Sequence, residues 1–225
     1  SYTIEKVRLL VTANSTVIDY GTAPMNDGVS CQGFVNGEDI DDLDGTLTYA
    51  HTYRQFNDVS EYTITPGGLT SDNYDISFLP GTLEVRPRTV TLTWHNTEGR
   101  IYADDEGAIT ATVSNAVNGD RIGVTVTGGE LTAGTHTAAA TGLTGDKAKN
   151  YQLSTVDADR TVQYTVAQAA QTLTFAQQGS LTRTYGDDAF SNAASNNRRD
   201  GGSITYASSR ESVATVASDG TVTIH

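Results

Sequence analysis

The sequence predicts an all-β protein of modules arranged end to end, each sandwich-like or β-grasp-like, with at most one short helical turn per module. Its 225 residues include 35 threonines, 22 glycines and 11 tyrosines but only 3 lysines, a composition typical of strands and turns. Apolar and polar residues alternate over short runs. No long run shows the i, i+3, i+4, i+7 apolar spacing of a helix, which excludes long helices.

The phase of this alternation shifts twice along the chain. Apolar residues fall on odd positions in residues 83–86 and on even positions in 89–94, with Pro87, which cannot donate to a sheet, between them. A shift of one residue turns every side chain to the opposite face, so one module should end where the next begins. A second shift separates residues 162–166 from 173–175. The predicted modules are therefore residues 1–87, 88–169 and 170–225.

Equivalent residues recur in modules one and two. The spacing is 82 residues at three places and 77 at a fourth, which indicates that one later loop of module two is shorter by five. Constant spacing with one local deletion is typical of a duplicated module. The matching pairs are Tyr20 with Tyr102, Asn36-Gly37 with Asn118-Gly119, Ile40 with Ile122, and Asn73-Tyr74 with Asn150-Tyr151.

Module one is predicted to open with a strand over residues 7–11. Asn36 is expected to cap one helical turn that directs Ile40 and Leu43 towards the core. Pro66-Gly67-Gly68 predicts a turn. Further strands are predicted at residues 46–49, 61–65 and 74–79.

Modules two and three are likewise predicted to consist of short strands separated by glycine-containing turns. Gly128-Gly129 predicts a turn in module two, and Ser218-Asp219-Gly220 predicts a hairpin in module three. Module three is only 54 residues long from Thr172, against about 82 in its predecessors, so its closing strands are expected to be missing. The predicted strands are residues 122–127, 134–140 and 161–166 in module two, and 172–175, 204–206, 212–216 and 221–224 in module three.

Modules one and two resemble the mostly-beta, glycine-rich (MBG) and related YDG-type repeats of large bacterial surface proteins. Thr22 departs from the Tyr-Gly-Asp that is common in these repeats. The resemblance is carried in module one by Tyr20-Gly21, residues 33–37, 61–64, 72–74 and 80–85, and in module two by residues 118–120, 133–134, 142–143 and 149–151.

Module three is similar to the bacterial immunoglobulin-like repeats of invasin-type adhesins, through residues 208–209, 212–216 and 219–222. Together these resemblances imply a non-enzymatic stalk or adhesin segment, exported to the cell surface or secreted and present as a monomer, without catalytic residues or a cofactor. Its expected partner is a protein or glycan on a host or neighbouring cell. The alternative is a carbohydrate- or protein-binding accessory module of an extracellular enzyme.

The formal charge of −13 limits the partners of the chain. Such acidity repels phosphate backbones and anionic lipid, so neither nucleic acid nor a membrane surface is expected to bind directly. No apolar run is long enough to span a membrane, and the first residues resemble no signal peptide. Cys31 is the single cysteine, which excludes an intrachain disulfide and a cysteine cluster for zinc.

An acidic run at residues 38–45 is the one metal-site candidate. Calcium could be held there by Asp39, Asp41, Asp42 and Asp44. The EF-hand spacing fails, however, because, counted from Asp39, Leu43 stands at the fifth position and no glutamate stands at the twelfth. The competing interpretation is a solvated acidic turn. Paired carboxylates for glycoside hydrolysis are a weaker alternative, since the sequence does not fix their separation.

Other motifs are weighed against ordinary structural roles. Residues 185–188, Tyr-Gly-Asp-Asp, match a polymerase metal motif but lack the basic partners of phosphoryl transfer, so a repeat turn is predicted. Asp-to-Asn changes at 104–106 or 187–188 are expected to leave function unaltered. Cys31 could pair with His51 or His95 as nucleophile and base, but a small buried side chain is favoured.

Three aromatic residues and one lysine complete the candidates. Trp94, Tyr74 and Tyr151 are predicted to lie in the core rather than on a sugar-binding surface, because they share the phase of neighbouring apolar residues or recur at equivalent positions. Lys6, in the first strand, is the one lysine considered for an isopeptide bond, which is not expected.

Overall fold

The computed structural model describes residues 2–104, 107–197 and 202–225. The chain forms two compact units, Ser1–Ala167 and Gln168–His225. The all-β class is confirmed. The three module limits stay a prediction. Asp105 and Glu106, which belong to the segment 104–106 named above, lie outside the described residues.

Module one contains two sheets. In the first, β1 lies between β3, to which it is antiparallel, and β6, to which it is parallel. In the second, the order is β2-β7-β5-β4, and β2 runs parallel to β7. The strands are β1 (Val7–Ala13), β2 (Thr16–Asp19), β3 (Val29–Gln32), β4 (Asp44–His51), β5 (Ser60–Thr70), β6 (Tyr74–Leu79) and β7 (Gly81–Arg86).

Module two repeats this topology with shorter pairings. β8 pairs in parallel with β13, β9 pairs antiparallel with β10, and the second sheet has the order β11-β12-β14. A single parallel bridge between Ile101 and Ala167 replaces the pairing of β2 with β7. The strands are β8 (Arg88–Thr89), β9 (Leu92–His95), β10 (Thr110–Val113), β11 (Gly123–Thr127), β12 (Gly134–Thr144), β13 (Tyr151–Gln152) and β14 (Thr161–Val166).

Backbone conformation supports the duplication. Asn36 and Gly37 both have positive φ, at 58° and 81°, and Asn118 and Gly119 repeat this at 56° and 74°. Asparagine and glycine tolerate the left-handed region best, so the Asn-Gly pair is a structural requirement of the repeat.

Two local predictions for module one are wrong. Asn36 does not cap the helical turn; Asp39 does, and the turn spans Ile40–Asp42. The cap is reciprocal, because the Asp39 side chain accepts from Asp41 N and the Asp42 side chain accepts from Asp39 N. Ile40 and Leu43 pack against a core, as predicted.

Pro66-Gly67-Gly68 is not a turn but lies inside β5. The glycine is needed there because the pairing of β4 with β5 is irregular between Gly45 and Thr48, and a Cβ on Gly68 would lie 2.2 Å from Thr46 O. A bulge therefore accounts for the glycine pair that the sequence presented as a turn.

Module two departs in detail from its predicted elements. The strand expected over residues 89–94 is divided into β8 and β9, with Val90 buried between them. β14 coincides with the predicted 161–166. Where the prediction allowed one helical turn there are two, at Ala148–Asn150 and Asp157–Arg160.

The first unit has three apolar cores. One core lies within module one and consists of Leu9, Val11, Leu69 and Tyr74. A second, here called the outer core, lies within module two and consists of Ile109, Ala138, Tyr164 and Val166. Trp94 packs against the outer core, and Tyr74 and Tyr151 are buried, which confirms their predicted structural roles. The third core, here called the joint core, contains residues of both modules.

The second unit has short sheets and little burial. β15 pairs with β17, and β19 lies between β16 and β18. The hairpin predicted at residues 218–220 is confirmed, whereas residues 204–206 form no strand. Among the described residues of this unit, no apolar side chain is fully buried. Its strands are β15 (Leu173–Phe175), β16 (Phe190–Ser191), β17 (Ala194–Asn196), β18 (Ala214–Val216) and β19 (Thr221–Ile224).

No helix within the described ranges has the length and apolar character needed to cross a lipid bilayer.

Candidate functional site: the joint between modules one and two

The joint core crosses the boundary that Pro87 marks in the sequence. Module one contributes residues of β1, β2, β5 and β7 together with Tyr20 and Tyr53 from connections. Module two contributes Val90 and Tyr151, with several half-buried apolar side chains packed against the core. Because the same core serves both modules, separating them would expose apolar surface from each. Its buried members are Ala13, Ile18, Tyr20, Tyr53, Ile64, Leu83, Val85, Val90 and Tyr151.

Tyr20 of module one is inserted into module two. Its side chain is completely buried, and its ring meets the ring of Tyr151 edge-on with 5.4 Å between centroids. The hydroxyl groups of Tyr20 and Tyr151 both donate to Asp120 Oδ2, each at 2.9 Å. One carboxylate oxygen therefore joins a tyrosine from each module, through charge-assisted hydrogen bonds.

The tyrosine and the acid that receive Tyr20 in module two have equivalents in module one. In module two, Val117 N donates to the hydroxyl of Tyr151, and Asp120 follows three residues later. In module one, Val35 N donates to the hydroxyl of Tyr74, which itself donates to Glu38. In both modules, therefore, a tyrosine of a late strand closes the Asn-Gly turn.

Module one has a larger side chain at the position that corresponds to the entry site of Tyr20 in module two. Phe34 makes an edge-on contact with Tyr74 at 5.4 Å, the same separation as between Tyr20 and Tyr151. Ala116 stands 82 residues after Phe34. The small side chain in module two leaves the face of Tyr151 available to a tyrosine from its neighbour.

Gly21 allows the modules to approach closely. It has a φ of 87°, and a Cβ built on it would lie 2.7 Å from Val117 Cγ2. Ala103 occupies the equivalent position in module two with a φ of 63°. The left-handed conformation therefore belongs to the repeat, whereas the absence of a side chain at Gly21 is required by the joint.

Asp58 of module one forms the polar half of the joint. Its Oδ1 accepts from Lys147 Nζ and from Asn150 Nδ2, both at 2.8 Å, and its Oδ2 lies 2.7 Å from Lys149 Nζ. These three donors hold the pKa of the Asp58 carboxyl well below its usual range, with Lys147 the largest cause. The same carboxylate raises the pKa of Lys147.

Asn150 connects this cluster to the interior. Its side chain is completely buried, its Oδ1 accepts from Val59 N at 2.9 Å, and its Nδ2 donates to Asp58. A buried amide with both ends satisfied stabilises one arrangement of the two chains that it joins.

The donors come from a connection that is longer in module two. Residues 145–150 link β12 to β13, whereas residues 71–73 link the equivalent β5 and β6. The helical turn Ala148–Asn150 shapes this longer connection and places Lys147 and Lys149 on either side of Asp58. The five-residue difference predicted from the sequence is therefore a net value. This connection is three residues longer, whereas residues 122–133, from Ile122 to the start of β12, are eight fewer than residues 40–59 of module one.

Burial also controls the ionisation of the two tyrosines. It raises the pKa of Tyr20 and of Tyr151, and in each case the neighbouring Asp120 carboxylate raises it further. A folded pKa above the unfolded value stabilises the fold below the unfolded pKa and loses that contribution as pH rises. Burial and the Asp120 carboxylate thus keep both phenols of the joint neutral, and their contribution to stability should be lost as pH rises above the ordinary tyrosine pKa.

The acidic run of module one is organised as a cap. The carboxylates of Asp39 and Asp42 each accept a hydrogen bond from a backbone amide, and Asp44 lies in β4. Within residues 2–104, 107–197 and 202–225, no group of three or more histidine, cysteine, aspartate or glutamate side chains could hold a metal ion. Calcium binding by Asp39, Asp41, Asp42 and Asp44 stays a prediction.

The remaining candidates lie in ordinary surroundings. Cys31 is half-buried in β3, and burial raises the pKa of its thiol, which favours the unreactive form. Lys6 Nζ donates to the backbone oxygen of Ser71. Tyr185 is 85% exposed, in a turn where Thr184 N donates to Asp187 Oδ2.

Comparison with known families bears on the first module. Residues 9–84 match the family described as MBG domain (YGX type). The MBG-like module contains both sheets of module one and the Tyr20-Gly21-Thr22 segment that enters the joint. MBG domains occur in surface proteins. No curated protein and no solved structure matches the chain. The immunoglobulin-like resemblance of module three stays a prediction.

Sequence reasoning found part of this site. It matched Tyr20, the Asn-Gly turns and Tyr151 between repeats, and it included Asp120 in the resemblance of residues 118–120, but it gave Asp120 no role. An acid directly after Asn-Gly in both modules, Glu38 and Asp120, was a visible signal. Asp58 and Lys147 gave no such signal, because they are 89 residues apart and Lys147 lies in a connection that is longer than its counterpart in module one.

Proposed function

We propose that this chain is a non-enzymatic spacer or stalk segment of an extracellular, surface-attached protein, in which MBG-like modules are held at a fixed angle. The observation that carries the proposal is the joint core, which is continuous across the boundary between modules one and two. Adjacent domains joined by a polar linker move relative to each other. Modules that share a buried core and a buried tyrosine do not.

The distribution of aromatic side chains favours this role over that of a sugar-binding accessory module. Within the described part of the first unit, Tyr2 is the one aromatic residue that is mostly exposed. The buried tyrosines donate to Asp120, Glu38 and backbone oxygens rather than to a surface groove. An acidic surface keeps a stalk soluble and separate from anionic neighbours.

Distance measurements between spin labels test the fixed angle. Labels at Asp75→Cys in module one and Gln163→Cys in module two, in a Cys31→Ser background, use two exposed strand positions. A single narrow distance distribution is expected. Tyr20→Ala should broaden it, because the substitution removes the side chain that enters module two.

Tyr185→Ala is the matched control, since Tyr185 is an exposed tyrosine. It should leave the distribution unchanged. If the parent chain already gave a broad distribution, the modules would be flexibly linked and the stalk proposal would be rejected. Equal broadening by both substitutions would also count against it.

A further inference from the structure

Arg100 is a buried cation in the outer part of module two. It is only 4% exposed, and it lies between β9 and β10. The equivalent residue of module one, 82 positions earlier, is Ile18, a member of the joint core. Module two has therefore replaced a buried apolar side chain by a guanidinium, a change that costs stability unless the charge is matched.

Hydrogen bonds satisfy one end of this guanidinium. Arg100 Nη1 donates to Asn96 O and to Gly107 O, both at 3.0 Å. Arg100 Nε is buried without a hydrogen-bond partner, and no ion pair formed between described residues includes Arg100. The free edge, Nε with Nη2, is the edge on which a carboxylate binds through two parallel hydrogen bonds.

A cavity of about 390 Å³ lies against Arg100. In module one the connection between β4 and β5 carries Tyr53, which is buried and donates to Thr22 O. The shorter connection between β11 and β12, residues 128–133, has no aromatic residue to fill the equivalent volume. The cavity is lined by Arg100, Asp104, Gly107, Ala108, Ile109, Val126, Gly129 and Leu131.

We propose that this cavity binds an aliphatic carboxylate. The carboxylate oxygens accept from the free edge of Arg100, and the aliphatic part packs against Ile109, Val126 and Leu131. The presence of Asp104 in the lining and the charge of −13 favour a monoanion over phosphate or sulfate. The carboxylate can come from a free acid or from the carboxyl terminus of a peptide ending in leucine.

Nuclear magnetic resonance of the full chain tests this with matched probes. Titration with 4-methylpentanoate should shift the Arg100 Nε–Hε resonance and the Gly107 and Gly129 amides saturably. The neutral 4-methylpentanamide should not. A peptide ending in Gly-Gly-Leu is compared with its C-terminal amide. Tighter binding of the peptide acid identifies a peptide terminus, and binding of the small acid alone identifies a free acid.

Two substitutions make the proposal falsifiable. Arg100→Met should weaken binding roughly tenfold to a hundredfold, as expected for loss of a charge-assisted contact. If that variant fails to fold, Leu131→Glu places a like charge on an exposed wall and should weaken binding at least about tenfold. Val156→Glu is its control, being similarly exposed and outside the lining.

The proposal is overturned if the acid and the amide give equal shifts, since the guanidinium then plays no part. It is equally overturned if no saturable shift occurs near Arg100, or if Leu131→Glu binds the acid as the parent chain does.

Discussion

Gly21 has two constraints, of which its repeat equivalent shares only one. Its positive φ is common to Ala103, so the conformation alone does not demand glycine. The contact with Val117 does, because a Cβ at 2.7 Å from a methyl carbon forces either the Val117 side chain or the two modules to shift. A residue that looks like ordinary turn glycine in the sequence is therefore a determinant of the joint.

Gly21→Ala should lower the free energy of unfolding of the first unit by about 2–4 kcal/mol, from left-handed strain and overpacking together. Adding Val117→Ala should recover part of the loss, since it removes the methyl groups that clash. Ala103→Gly, at the equivalent position, should change stability by less than about 1 kcal/mol. Urea unfolding followed by Trp94 fluorescence measures all three. A loss below about 0.5 kcal/mol for Gly21→Ala would contradict the close approach.

At the scale of elements, the connection from β12 to β13 distinguishes the two repeats. Its added length brings Lys147, Lys149 and Asn150 to Asp58, and nothing similar forms within module one, where residues 71–73 are too short. Asp58 and Lys147 are each more than a third exposed, so water screens their attraction. The polar cluster orients the modules, and the joint core supplies most of the stabilisation.

Asp58→Asn should therefore destabilise the first unit by about 1 kcal/mol near pH 7. The folded pKa of Asp58 is lowered, so its contribution is complete above the ordinary aspartate value near 3.9 and is lost as pH falls below it. Melting temperatures of the parent and the variant should converge in acid. Asp157→Asn, which removes an exposed pair with Arg160, is the control and should have little effect. A difference that is independent of pH would refute the assigned role.

The sequence predicted elements better than contacts between them. β14 and β19 were located to the residue, because strict alternation continues to both ends of each strand. The glycine pair in β5 was misread, because a bulge and a turn both require glycine and only the partner strand distinguishes them. Asp58 was missed for a related reason, since a lone acid in a loop has no local signal of its partner.

At the scale of the whole molecule, the two units differ in how well each fills its interior. The first has three cores of buried side chains, whereas Leu173 and Phe175 in the second are 53% and 48% exposed. A fold that buries little apolar surface has little with which to offset chain entropy. We therefore expect the second unit to be the less stable of the two.

Hydrogen exchange on the full chain should show this order directly. Amides of Thr221–Ile224 should exchange at least about tenfold faster than those of Gly81–Arg86, because local opening of a weak unit requires less free energy. Calorimetry should show an early transition for residues 168–225 followed by a later one for the first unit. Equal protection in β19 and β7, or a single cooperative transition, would show that the second unit is as stable as the first.

The parallel pairing of β1 with β6 and of β2 with β7 has a mechanical consequence. A pulling force applied at the start of β1 and at the end of β7 would move these parallel neighbours past each other lengthwise. All hydrogen bonds between each pair of parallel strands then resist the force together instead of breaking one after another. Six residue pairs join β1 to β6, but only two join β8 to β13. We therefore expect module two to yield at a lower force than module one, although both repeats share one topology.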